Sequence, residues 1–257
     1  MITLRKSEER RHIASENQKT WMTFDWENQN DPLRDGFGAL KIFNEEILNP
    51  GRVFTLQTQQ DMVVVTYVNE GVMIFNRPQK GKSGVLETGE FHQDVTTAGL
   101  KQFAHNASPT DSARLFQSVF THGTKLPQPG GEKKRFTLAE RRGILKLIAS
   151  PDGKDNSLKI QQDVEMYSTL IQKGNHMIHE LRPGRKAWLH VVKGQIDLSG
   201  LLLHAGDGAG FTDETAVSFT AQEPTEILLF DLCVPIPGET PSEAWNPSET
   251  ASPVKVS

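Results

Sequence analysis

The chain has 257 residues, a formal net charge of -4 from 28 Lys+Arg against 32 Asp+Glu, and 36% hydrophobic residues. That length buries a sizeable core as one large domain or two of ordinary size, and the slightly acidic balance argues against the clustered basic face that nucleic acid requires. Cys233 is the single cysteine, which excludes an intramolecular disulfide and fits a reducing compartment, the cytoplasm.

Along residues 1–30, Ile2, Leu4, Ile13, Trp21, Phe24 and Trp26 are interleaved with charges. The pattern predicts an opening strand and a loop that packs aromatics onto a β core. Lys6, Glu8, Glu9 and Arg10 stand where a signal peptide needs an apolar stretch, and no segment has the apolar length to span a membrane. Ile42-Phe43 and Ile47-Leu48 flank a polar Asn44-Glu45-Glu46.

Residues 51 to 71 predict two strands. A polar Gln-x-Gln pair, Gln57 and Gln59, leads into the β-branched run Val63-Val64-Val65-Thr66-Tyr67-Val68, closed by Glu70-Gly71. Two apart on an extended strand, Gln57 and Gln59 share a face. Turn signals at Gly81-Lys82-Ser83-Gly84 and Gly89-Glu90-Phe91 follow, and short β-rich runs recur about every ten residues, as in a sandwich or barrel.

Residues 123–136, with Pro127, Pro129, Gly130 and Gly131, are expected to be a linker; Thr137 to Ile148 predicts a short helical turn before a strand. Lys133-Lys134-Arg135 and Arg141-Arg142 are interleaved with Glu132 and Glu140 and read as solvated surface. The second half repeats the style of the first: Ala187-Trp188-Leu189-His190-Val191-Val192-Lys193 runs to Gly194 as Val63 to Glu70 runs to Gly71. Cys233 follows Ile227-Leu228-Leu229-Phe230 and reads as core. Residues 234–257 are rich in Pro, Ser, Glu and Thr and predict a surface tail anchored by Trp245.

Trp21-Met22-Thr23-Phe24, Asp31-Pro32, Gly36-Phe37-Gly38-Ala39-Leu40, Asn44, Thr66-Tyr67-Val68, Glu70-Gly71, Gly89-Glu90-Phe91 and Thr97-Ala98-Gly99 together resemble the pirin family of bicupins. The resemblance is specific in the first half and extends more loosely to about Leu232. It implies an all-β bicupin of two tandem β-barrel, double-stranded β-helix domains, at 1–133 and 134–233. It implies also the family's activities, a quercetin 2,3-dioxygenase-like oxygenase or an iron-dependent transcriptional co-regulator.

The positions that match the family's metal ligands are Gln57, Gln59, Ala104 and Asn106, with Gln102 as a neighbour on the same strand face. A divalent transition ion needs imidazole and carboxylate donors, and these residues supply none. Val63 replaces a glutamate common in the first motif. Among the histidines, His92, His105 and His122 lie in the first half, and His105 faces away from Ala104 and Asn106 on a regular strand. His176 and His179 point to opposite strand faces, and His190 and His204 lack a partner at ligand spacing.

The expectation is therefore a protein without cofactor, where the family would use iron or another divalent transition metal. It would be a non-catalytic small-molecule-binding or regulatory protein, with no nucleic-acid or membrane partner. Its amides would hydrogen-bond one another or water across the old cavity. Two alternatives stand beside it: a quercetinase-like oxygenase with an atypical metal shell, and an interaction protein whose cavity is filled by Phe54 and Phe103.

Overall fold

Short apolar runs rich in β-branched residues, each closed by a turn, make the described residues mostly strand. A computed structural model describes residues 1–57, 62–77, 82–96, 101–121 and 131–234. The first half holds β1 (Ile2–Arg5), β2 (Arg11–Ala14), β3 (Gln18–Met22), β4 (Leu40–Leu48), β5 (Val53–Gln57), β6 (Met62–Glu70) and β7 (Val72–Arg77). It continues through β8 (Lys82–Glu87), β9 (Glu90–Thr96), β10 (Lys101–Asn106), β11 (Ala113–Thr121) and β12 (Gly131–Arg135). After the one-turn α1 (Leu138–Arg141) come β13 (Lys146–Ser150), β14 (Leu158–Lys159), β15 (Val164–Ile171), β16 (His176–Glu180) and β17 (Arg185–Lys193). The chain ends its described course with β18 (Gln195–Leu198), β19 (Leu201–His204), β20 (Gly208–Thr212), β21 (Ala216–Ala221) and β22 (Thr225–Cys233).

Each half pairs a seven-stranded sheet with a four-stranded one. The orders are β12-β9-β6-β11-β4-β3-β2 with β5-β10-β7-β8, and β1-β20-β17-β22-β15-β13-β14 with β16-β21-β18-β19. The fold is the expected all-β bicupin, built as two-sheet jelly rolls rather than closed barrels. Period-two alternation sorts the central strands of the large sheets. On β6, Val64 and Val68 turn inward to pack with Met73, Leu86 and Ala104 of the small sheet, while Val63, Val65 and Tyr67 face the other half.

The two large sheets meet back to back. Phe43, Phe116 and Tyr67 from the first half join Trp188, Leu228 and Phe230 from the second in one apolar cluster, on which Cys233 packs. Phe43 and Phe230 stand edge to face at 5.6 Å, and Trp188 meets Phe24 at 5.0 Å. Gly71 and Gly194 close the central strands at equivalent places, with φ of 89° and 87°. A Cβ on Gly71 would lie 2.9 Å from Ala113 Cα and one on Gly194 2.5 Å from the Pro224 carbonyl oxygen, so only glycine fits either turn.

Two features depart from the expectation. Residues 131–135, expected as linker, form the edge strand β12, paired with β9 from Gly131↔Asp94 to Arg135↔Glu90; its charges, Glu132, Lys133, Lys134 and Arg135, protect an exposed edge. The opening strand β1 crosses to the second half, where it pairs with β20 from Ile2↔Phe211 to Arg5↔Gly208. The expected helical turn is present as α1, closed by a capping box in which Thr137 N–H donates to Glu140 at 2.8 Å. Trp245, the anchor expected in the tail, lies outside the described residues.

Candidate functional site

The inward face of the first half's large sheet is set by β4, where Ile42, Asn44, Glu46 and Leu48 alternate with Phe43 and Glu45. Ile42 and Leu48 belong to the inner apolar cluster and Phe43 to the interface, so Asn44 and Glu46 point inward. Strand register then carries a polar row across the sheet. Asn44 lies opposite Gln117 on β11, Gln117 opposite Thr66 on β6, and Thr66 opposite His92 on β9. The His92 ring sits 5.8 Å from Phe75 of the facing sheet.

Burial in this row is nearly complete: Asn44 is 1% exposed, Gln117 2% and Thr66 3%. Asn44 Oδ1 has no hydrogen-bond partner among the described residues. Glu46, two residues along β4, accepts a hydrogen bond from Thr20 Oγ1. Burial, reinforced by the nearby Glu45 carboxylate, pushes its carboxyl up to about 8 against the opposing pull of Thr20 and Arg10, so the group is mostly protonated at neutral pH. Asn44, Gln117 and Thr66 thus present hydrogen-bonding groups without charge, and Asp94, two residues along β9 from His92, is a buried carboxyl on the same face.

Of the positions matching the family's ligands, Gln57, Ala104 and Asn106 lie on the facing sheet. Gln57 ends β5 and pairs with Lys101 of β10, Gln102 pairs with Leu56, and Ala104 pairs with Phe54 on one side and Phe75 on the other. Of Gln57 and Gln102 only the backbone is described, and Gln59 lies outside the described residues. Ala104 packs in the inner apolar cluster, so its neighbour His105 faces the other side of β10.

Asn106 is engaged differently from the expectation. Instead of meeting other amides across a cavity, its Nδ2 donates to the carbonyls of Asp111 at 2.7 Å, Leu48 at 3.2 Å and Asn49 at 3.3 Å. Its Oδ1 accepts from Ser108 N–H at 3.0 Å. The carboxamide fastens the 107–112 loop to the end of β4, and every hydrogen-bonding atom it has is used.

No group of three or more His, Cys, Asp or Glu among the described residues is arranged to hold a metal ion. His179 Nε2 lies 3.0 Å from Asp231, His176 Nδ1 2.9 Å from Thr220 Oγ1, and His12 stacks on Trp21 at 4.6 Å. His204 meets Gln195 at 3.3 Å; His122 lies outside the described residues. His190, on β17, is buried between the halves with neither ring nitrogen partnered among the described residues.

Sequence reasoning missed two buried polar networks at that interface. Glu45 accepts from Arg10 at 2.9 Å and from Arg114 at 2.8 Å, and Arg114 also donates to the Val192 carbonyl. Glu226 of the second half accepts from Tyr67 at 2.6 Å and from Arg141 at 2.8 Å. The signal available was a charged residue at a position whose strand neighbours are apolar on the same face.

Comparison with known proteins places this architecture. A family profile described as the quercetinase C-terminal cupin domain matches residues 147–232. The quercetin 2,3-dioxygenase of Escherichia coli (strain K12) is 33% identical over 232 residues, spanning 90% of this chain and 99% of the relative. The crystal structure of the bacterial pirin YhhW from Escherichia coli in complex with nickel(II) superposes with a TM-score of 0.83 at 33% identity, covering 91% of this chain and 100% of that one. The chain belongs to the pirin family. A pirin-like protein of Caulobacter vibrioides is 27% identical over 209 residues, 81% of this chain and 89% of the relative. A quercetin 2,3-dioxygenase structure from Acinetobacter baumannii, at 15% identity and a TM-score of 0.72 over 95% of this chain and 89% of that one, shares the fold alone.

Proposed function

We propose that this pirin is a non-catalytic small-molecule-binding or regulatory protein whose first half no longer holds a metal. The observation that carries the reading is the donor set: Gln57, Gln59, Ala104 and Asn106 offer a methyl and three neutral amides where a transition ion needs imidazole and carboxylate. The amide of Asn106 is moreover spent on backbone groups, and Ala104 is packed among apolar side chains. These residues do not fit a mononuclear centre, and no reaction step is routed through one.

The same reading expects no cofactor, no nucleic-acid partner and a place in the cytoplasm. A lone cysteine and a net charge of -4 support it, and no helix among the described residues is long and apolar enough to cross a membrane. The activity in the name of the Escherichia coli relative is not carried over to this chain.

Elemental analysis tests it. Protein purified as expressed and after incubation with Fe(II), Ni(II), Mn(II) and Cu(II) is expected to hold far less than one ion per chain and to consume no oxygen with quercetin. Stoichiometric metal that disappears in Gln57→Ala or Gln59→Ala would overturn the reading in favour of an oxygenase with an atypical shell.

A further inference from the structure

The two halves share a fold, and one inward row of side chains differs in kind between them. Counting back from the equivalent glycines, Thr66 on β6 corresponds to Leu189 on β17. Register carries the second half's row through Ala209, Leu189, Leu229 and Tyr167, where the first half has His92, Thr66, Gln117 and Asn44. The next position is apolar in both, Leu147 in the second half and Met22 in the first.

An apolar row there is sufficient to build this sandwich, because the second half does so. Ala209, Leu189 and Leu229 all sit in its inner cluster. Packing alone therefore gives no reason for two amides and a hydroxyl at the centre of the first half's inner face, where burial removes their water. An acceptor left without a donor, as Asn44 Oδ1 is, opposes folding unless something supplies one.

We infer that the row His92, Thr66, Gln117 and Asn44 binds an uncharged small molecule that donates a hydrogen bond to Asn44 Oδ1. This deepens the reading of the first half as a binding domain and rests on it. Neutral ligands are favoured because Asn44, Gln117 and Thr66 carry no charge and the surroundings, Met22, Val64 and Leu115 among them, are apolar. An ion would shed its water beside Asn44, Gln117 and Thr66 without meeting a counter-charge from any of the three. The Arg10 and Arg114 guanidinium groups are bound to Glu45, on the opposite face of β4.

The test compares three probes of one shape against the full chain at pH 7 by amide-resolved NMR: benzamide, neutral with an N–H donor; methyl benzoate, neutral without one; and benzoate, charged. Benzamide is expected to shift the Thr66, Gln117 and Asn44 resonances and to bind about fivefold more tightly than methyl benzoate, one hydrogen bond's worth, with benzoate weakest. Asn44→Leu is expected to erase the preference for benzamide. If that variant does not fold, the side-chain amide resonance of Asn44 in the natural protein decides alone, moving with benzamide and staying still with methyl benzoate. Equal or absent binding of the three probes, shifts confined to other residues, or a preference that survives Asn44→Leu overturns the assignment. Metal content read on the same sample separates the two ideas, since a bound ion sinks the metal-free reading whatever the row does.

Discussion

Phe43 of the first half stands edge-on to His190 of the second, with ring centroids 4.7 Å apart, and Phe116, stacked beside Phe43, lies 5.8 Å from the same imidazole. Burial first, and then the nearby Arg10 and Arg114 guanidinium groups, hold the His190 pKa well below its usual 6.5. Glu45 is the carboxylate that offsets those two cations. In the unfolded chain the imidazole takes up a proton below about pH 6.5, and in the folded chain it does not. Stability is therefore fully present above that pH and is lost as pH falls below it. His190→Leu is expected to flatten the fall in melting temperature between about pH 6.5 and 5. At pH 7.5 it should add on the order of 1 kcal/mol by removing two unpartnered nitrogens. Parallel melting curves for the two proteins across that range would show that His190 does not set the acid limb.

Glu46 gives the opposite sign. Its carboxyl is pushed up to about 8 in the fold, by burial before any neighbour, from an ordinary 4.5. Folding then requires a proton that the unfolded carboxylate has lost, so the stability present below about pH 4.5 declines as pH rises to about 8. Glu46→Gln keeps the shape and removes the titration. The variant is expected to be more stable than the natural protein at pH 9, on the order of 3 kcal/mol, with the gap narrowing toward pH 5. Urea denaturation at the two pH values measures it, and a gap of constant size would refute it.

Which parts of this molecule were legible in its sequence follows from how local their causes are. The β-branched run of β6 and the apolar run of β17, each delivered to a glycine, announce central strands within nine residues. Thr137 and Glu140 announce α1 within four. The pairing of β1 with β20 joins residues two hundred apart, and nothing in Ile2-Thr3-Leu4-Arg5 says which sheet edge it completes. Gly131 and the run of charges in β12 looked like linker because an edge strand and a solvated loop favour the same residues. The polar row was hidden for a third reason: Asn44, Thr66, His92 and Gln117 become neighbours only once four strands are in register. Asn106 was singled out by resemblance as a lost ligand, and its use as a backbone fastener is a property of the loop it holds.

That use makes a distinction between two substitutions. Asn106 donates to three carbonyls and accepts from one N–H, all around the 107–112 loop. Asn106→Ala leaves those groups without partners, at a cost of about 2–4 kcal/mol. Asn106→Asp keeps the acceptor but replaces the donor with a carboxylate aimed at carbonyl oxygens. It is expected to be worse than alanine at pH 7 and to recover partly as the carboxyl is protonated in acid. Denaturant midpoints for the two variants decide the order, and an aspartate milder than alanine at neutral pH would show that the donor does not matter.

The last prediction concerns how the halves are coupled. Tyr67 O–H donates to Glu226 Oε1 at 2.6 Å, and Arg141 Nη1 donates to the same oxygen, to Tyr67 Oη at 3.1 Å and to Ser168 Oγ at 3.1 Å. Asn69 adds a bond to Glu226 Oε2 at 3.2 Å. Arg141, Ser168 and Glu226 all belong to the second half, whereas Tyr67 and Asn69 lie on the first half's sheet, so these two side chains are what tie the buried ion pair to the other sheet. Glu226→Gln leaves Arg141 buried beside a neutral amide, with an expected loss of about 3–5 kcal/mol, whereas Tyr67→Phe removes one hydrogen bond and is expected to lose about 1–2 kcal/mol. Because they share one oxygen, the double variant should lose at least about 1 kcal/mol less than the sum. Both single variants should also lower one common transition, seen alike by far-ultraviolet circular dichroism and by fluorescence of Trp188, which is buried at the interface. Additive losses, or a first half that melts apart from the second, would mean that this network does not join them.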